Sequence, residues 1–398
     1  MSKLAVVLAI AAAGACASPK PKPQPHWVAT WAASPQAADP DAPVALDGRT
    51  VRQIVHVSAG GARVRVRLSN AYGKAPLAID AAHVALRDPG ASSAIRAGSD
   101  RALTFAGGAA AIAIPAGSDA VSDPVALDVP AGADLAISLY LRGPAAASTV
   151  HGFANTTGYI APGDVTAATE LPAAAATTPM WHALAGVDVD APAATCAVVA
   201  FGDSLVDGMH ATPGANHRWT DRLAERVAAA GRARAVVGAG ILGNQLLDEL
   251  IGAPGVKRLD RDVLAQPGVC TAIVAIGVND VGVYDGGALD PTVAQRLIAG
   301  YRDVIARAHA RGLRVLGATI APFAGTPMYS PAGDAARATV NEWIRTAHAY
   351  DGVIDFDAVL RDPDHPERLR ADLDSGDHIH PTDAGYRAMS DAIPLELL

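Results

Sequence analysis

A serine hydroxyl becomes a nucleophile only when a base stands beside it. The run Val198-Val199-Ala200-Phe201-Gly202-Asp203-Ser204-Leu205 is an apolar stretch that stops at Gly-Asp-Ser. Near the other end, Asp377-His378-Ile379-His380-Pro381 sets an acid three residues before a histidine. Side chains at i and i+3 meet on a single turn. Asp377 can therefore hold one ring nitrogen of His380 and leave the other for Ser204, the orienter, base and nucleophile relation of a hydrolytic triad. Acyl transfer also needs donors for the developing oxyanion. The Ser204 amide, the glycine loop Gly238-Ala239-Gly240-Ile241-Leu242-Gly243-Asn244 and the stretch Gly277-Val278-Asn279-Asp280 can supply them. Asn279 would do so through its side-chain amide. Asp203 and Asp280 read as loop braces. Asp374, six residues before His380, is the alternative acid. His182, His210, His217 and His378 read as surface or structural residues, with an approach to the site as the alternative.

These residues need elements to carry them. From Cys196 onward, apolar runs alternate with helical periodicity. Strands are expected to end at Ser204 and to cover 233–237, 271–276, 313–320 and 353–356. Helices are expected between them. Trp219, Leu223 and Val227 mark one face and Gly231 its stop. Asp290-Pro291 opens a second, with Pro at its first position, and Gly312 ends it. Ser330-Pro331 opens a third, and a last helix spans 382–393. Five such units predict a doubly wound parallel sheet. In that architecture ligands bind at the carboxyl ends of strands, which is where Ser204, the glycine loop, Asn279 and His380 all fall.

Residues 26–190 read differently. Ala62-Arg63-Val64-Arg65-Val66-Arg67-Leu68 alternates strictly, as a half-buried antiparallel strand does. Gly, Pro, Asp and Ser punctuate further short runs, predicting an all-β sandwich or jelly roll. The Arg63, Arg65 and Arg67 stripe reads as the wet side of its strand, with a binding face as the alternative. Ala191-Pro192-Ala193-Ala194-Thr195 reads as the joint to residues 191–398.

Residues 1–25 read as an export signal and a stiff Pro-rich tether. Cys16 is a candidate for lipidation, and so for a membrane tether, with ordinary cleavage after Ala15 or Ala17 as the alternative. An exported product would be periplasmic, displayed as a surface lipoprotein or secreted. Cys196 and Cys270 begin two of the expected parallel strands. A disulfide and two buried thiols both fit them. A net charge of −8 with no basic run argues against nucleic acid. No His, Cys and acid cluster has metal-ligand spacing, so no metal is expected. Gly238-x-Gly240-x-x-Gly243 matches a dinucleotide fingerprint, but near 260–262 no strand stands ready to carry the acid that such a site needs. No cofactor is expected.

The four blocks, in this order and each at an expected strand end, resemble the SGNH, or GDSL, hydrolase superfamily. The matching residues are Gly202-Asp203-Ser204-Leu205, the turn ending in Gly243, Gly277-Val278-Asn279-Asp280, and Asp377 with His380. The resemblance implies Ser204 as nucleophile, His380 as general base and Asp377 as its partner. It also implies an oxyanion hole of the Ser204 and Gly243 amides with Asn279. It further implies a flavodoxin-like strand order 2-1-3-4-5, which makes the first and third strands neighbours and favours a Cys196–Cys270 bridge. Gly238 and Leu242 depart from the residues usual in the second block. Trp27-Val28-Ala29-Thr30-Trp31-Ala32-Ala33-Ser34-Pro35 and Arg67-Leu68-Ser69-Asn70 resemble the β-rich front module of secreted bacterial two-domain members. The expected function is an exported serine esterase removing O-acetyl or short acyl groups from carbohydrate. The alternatives are a lysophospholipase or other lipid acylhydrolase, and a non-catalytic carbohydrate-binding surface protein. The long-chain reading is to be told from the short-chain one by the walls of the acyl site.

Overall fold

The computed structural model describes residues 24–90, 92–143, 148–284 and 286–398. Cys16 and the export segment lie outside the described residues. The centre of the α/β half is the strand Cys196–Gly202, whose side chains from Ala197 on are buried. It pairs in parallel with Arg234–Ala239 on one side and Val269–Ala275 on the other, and Arg314–Ala318 and Gly352–Ile354 continue the sheet. The spatial order is therefore 2-1-3-4-5. A strand paired on both edges and covered on both faces has no polar side to show, which is why this run is apolar throughout.

Helices Trp219–Ala229 and Asp383–Asp391 pack together, as do Val293–Ala310 and Pro331–Thr346. Ser330 caps its helix through Gly333 N–H, with Pro331 in the first turn. The helix expected at Pro291 starts instead at Val293. The Asp290 side chain accepts from the Thr292 N–H and hydroxyl, and this local turn competes with the first helical turn. The fifth strand stops at Ile354, because Asp355 caps a short helix Phe356–Leu360. Residues 255–264 are helical, so no strand carries an acid at 260–262.

The first half is built from antiparallel sheets. One is ordered Trp27–Ala32, Leu184–Asp190, Gly61–Ser69, Val125–Val129. The other runs Ala176–Thr178, Gly158–Pro162, Arg49–His56, Asp134–Leu141, Ala81–Leu86, Arg101–Ala102. Val64, Val66 and Leu68 from the first and Val51, Val55, Leu135 and Ile137 from the second share one core, which makes this half a β-sandwich. The arginine stripe is not simply a wet face. Arg65 stands opposite Asp188 in the register. Arg65 and Arg67 both donate to the fully buried Asp188, at 2.9 and 3.0 Å, and Arg63 pairs with Asp190. Such a buried carboxylate must be matched, since an unpaired one costs several kcal/mol, roughly 3–5.

The two halves share a continuous apolar core. Ala29 N–H donates to Pro267 O at 2.8 Å, and the Ser58 hydroxyl accepts from Val236 N–H on the outer edge of the parallel sheet at 3.0 Å. Cys196 and Cys270 are bonded, with Cα atoms 5.8 Å apart. The bridge closes a segment of 74 residues. Replacing both cysteines by Ala is expected to cost about 4 kcal/mol on the loop-entropy relation. The measurement is the urea midpoint against the oxidised wild type, and an unchanged midpoint would show that the bridge adds nothing.

Candidate active site

Ser204 sits where the central strand gives way to the short helix Ser204–Asp207. Asp203 caps this helix by accepting from Leu205 N–H, and Gly208 ends it in the left-handed region. The serine is almost fully buried. Its Oγ lies 2.8 Å from His380 Nε2, and His380 Nδ1 lies 2.5 Å from Asp377 Oδ2. The other carboxylate oxygen of Asp377 accepts from the N–H groups of Ile379 and His380 and from the Ser375 hydroxyl. That net fixes the acid, and the acid fixes the ring. Asp374, the alternative acid, is engaged with His378 instead, at 2.7 Å.

Burial works against the Asp377 charge. The hydrogen bond from His380 and the backbone donors outweigh it and bring Asp377 down to about 2. Burial holds His380 below its ordinary value of 6.5; Asp377 raises it and the neighbouring His210 lowers it. The ring is thus neutral near pH 7, with Nδ1 carrying the hydrogen and Nε2 free to accept.

Close approach of the loops sets the rest. A Cβ on Gly240 would stand 2.5 Å from Asp207 N and 2.7 Å from Asp203 O, so the second block can abut the Ser204 turn only with glycine there. Gly243 has φ of +67° and lies under the Ile251 side chain. Asn279 donates one amide hydrogen to Asn244 O at 3.0 Å, which leaves its second for another acceptor. The Tyr284 hydroxyl donates to Asn279 Oδ1 at 3.0 Å and so sets which way the amide points. Asp280 accepts from Leu246 and Leu247 N–H and ties this loop to the second block. Burial pushes the carboxyls of Asp203 and Asp280 up to about 7, against the backbone donors that favour their anions. The structure therefore brings Ser204, His380 and Asp377 into one chain of hydrogen bonds, and places Gly243 and Asn279 on loops locked to that turn.

Of the histidines read as structural, His182 is buried and bonded to Thr178, and burial pushes it down to about 4. His217 pairs with Asp383. His210 belongs at the site: its Nε2 is 3.1 Å from Asp377 Oδ2, and its ring centroid is 5.6 Å from that of His380. Nothing in its spacing marked it, because the turn after Gly208 aims it back. Tyr284 was missed for a similar reason, being one polar residue in an irregular loop. Among the described residues, His210, Asp377 and His380 hold ligand-type atoms within 4.8 Å of one another. Asp377 Oδ2 is in contact with a ring nitrogen of each of the two histidines, at 3.1 Å from His210 Nε2 and 2.5 Å from His380 Nδ1.

Residues 200–388 match the model of the GDSL-like lipase/acylhydrolase family, and this part of the chain belongs to that family of acylhydrolases. The chain is also similar to several solved structures. One is the lipase/acylhydrolase of Enterococcus faecalis, at 23% identity and TM-score 0.38 over 50% of this chain and 93% of that one. Another is the aryl esterase of M. smegmatis, at 18% identity and TM-score 0.40 over 50% and 96%. A third is a carbohydrate acetylesterase of Sinorhizobium meliloti, at 16% identity and TM-score 0.38 over 50% and 96%. Among curated proteins no significant match is found.

The site's electrostatics predict that the His380 imidazole half-titrates below 6.5, and that His210→Ala raises this midpoint, because His210 opposes the charged form of His380. Histidine NMR across pH 4–9 measures both. A midpoint that stays put in the variant would remove His210 from the account.

Proposed function

We propose that the protein is an exported serine esterase working through an acyl-enzyme, with O-acetyl or short acyl groups on carbohydrate as substrate. The observation that carries the reaction type is the chain Ser204 Oγ, His380 Nε2, His380 Nδ1, Asp377 Oδ2, at 2.8 and 2.5 Å. In this reading the Ser204 oxygen attacks the ester carbonyl carbon and its proton passes to His380 Nε2. Asp377 stabilises the imidazolium that forms. The negative oxygen faces the Ser204 and Gly243 amides and the free Asn279 hydrogen. Collapse expels the alcohol, which takes the proton from Nε2 and leaves the acyl group on Ser204. Water then attacks that ester, with His380 taking its proton, and the carboxylic acid departs as the Ser204 hydroxyl is restored.

Export is supported by the N-terminal apolar segment and by the Cys196–Cys270 bridge, since such bridges persist in oxidising compartments. Cys16 would then tether the enzyme to a membrane if it is acylated. The carbohydrate assignment rests on that external setting together with the β-sandwich. One observation favours the lipid reading instead. Leu250 and Ile251 are exposed, and Ile251 lies against Gly243, where an acyl chain could run.

The test is hydrolysis of p-nitrophenyl esters from acetyl to lauroyl. Acetate is expected to be cleaved best, and a preference for octanoyl or longer would transfer the assignment to lipid. Ser204→Ala is expected to lose on the order of 10⁴-fold or more in kcat. Residual turnover near wild type would end the reading of Ser204 as the nucleophile that carries the acyl group. Tyr284→Phe frees the Asn279 amide to turn and is expected to lower kcat about 10-fold with KM little changed, since it disturbs one oxyanion donor without deleting it.

A further inference from the structure

Ser34 lies in the β-sandwich half, far in sequence from every residue of the site, and is almost fully buried. Its carbonyl faces His151 of the same half, and its hydroxyl faces Arg258 of the α/β half. The carbonyl is 3.0 Å from His151 Nδ1, and His151 Nε2 is 2.9 Å from Asp207 Oδ1. A carbonyl only accepts, so Nδ1 carries a hydrogen. The remaining proton lies between Nε2 and Asp207, and either placement joins the same two atoms. Asp207 is the last residue of the short helix that Ser204 begins. Its second oxygen is buried without a partner among the described residues, so His151 is what holds this carboxylate.

The Ser34 hydroxyl is 3.2 Å from Arg258 Nη1. Arg258 is buried, with its guanidinium 4.3 Å from the centre of the Phe201 ring. It donates to Gly202 O at 2.6 Å, to Ala239 O at 2.9 Å and to Asn244 Oδ1 at 2.9 Å, and Asp262 balances its charge at 3.0 Å. One planar group thus joins the strand end before Ser204, the strand end before the Gly243 loop, and the residue whose carbonyl holds Asn279. Few side chains could: five N–H groups in a fixed fork are specific to arginine.

We infer that Ser34, His151 and Arg258 are positioning residues for the reaction, so that the β-sandwich is a structural part of the reaction centre and holds both the nucleophile helix and the oxyanion loop. This rests on the acyl-enzyme reading above. Misplacement of reacting groups by about an ångström is enough to cost about 100-fold in rate. None of the three touches the substrate in this scheme; each acts through the turn or loop that it fixes.

The experiment uses the full chain with Ser34→Ala and Arg258→Lys. Ser34→Ala removes one hydroxyl and keeps the carbonyl on His151. Arg258→Lys keeps the charge and loses the fork. Each protein is titrated to completion with a fluorophosphonate, and p-nitrophenyl acetate turnover is expressed per titrated serine across pH 5–9. The expected result is a fall in kcat of about 5-fold for Ser34→Ala and about 100-fold for Arg258→Lys, with KM within about 3-fold and the acid limb unmoved. Loss confined to the titratable fraction or the melting temperature, with kcat per serine unchanged, would overturn the inference. If Arg258→Lys fails to fold, Ser34→Ala decides alone. Wild-type protein that the fluorophosphonate does not label would instead sink the acyl-enzyme reading, and the inference with it.

Discussion

The 2.8 Å contact between Ser204 Oγ and His380 Nε2 joins residues 176 positions apart, and the α/β half is arranged around it. A contact of that length tolerates little error at either end. On the serine side it depends on the buried central strand and the capped turn after Gly202. On the histidine side it depends on Asp377, whose oxygens accept from two backbone N–H groups, a hydroxyl and the ring. The loop that carries His380 lies beside the Ser204 turn because the sheet order places the strand ends together. A slip of one residue in the central strand would turn Ser204 to the opposite face.

The polar groups at this edge of the sheet fall into two sets by burial. Asp377 is partly open and strongly hydrogen-bonded, so its charge is favoured. Asp203 and Asp280 are buried, and desolvation pushes them toward neutrality while backbone donors pull the other way. They brace turns; Asp377 orients a ring. Residue type does not separate these roles. Local dielectric and the donors at hand do.

The β-sandwich is joined to the α/β half more closely than a tethered module would be. Its Ser58 caps the open edge of the parallel sheet, and its arginines close around Asp188 and reach Gln266. Strict alternation in 62–68 showed which side of that strand is apolar. It did not show that the polar side meets a buried carboxylate on the adjacent strand, because cross-strand partners are set by register and not by local pattern.

By itself the sequence determined the class of fold, the alternation of strands and helices in the second half and the candidate triad. Apolar runs, cap residues and an acid three positions from a histidine are local signals, and each is written within a few residues. The same holds for Ser204, the glycine loop 238–244 and Asn279, which lie in short blocks at strand ends; the choice of Gly243 within that loop is what the family resemblance implies. What only the tertiary structure decided are the contacts made across long separations: His210 on Asp377, Tyr284 on Asn279, Arg258 on three strand and loop ends, and Ser34 against both halves. It also decided that Cys196 meets Cys270. The physical reason is that a hydrogen bond or a disulfide requires two groups at one place. A sequence sets the groups, and only the packing of strands, turns and loops sets the place.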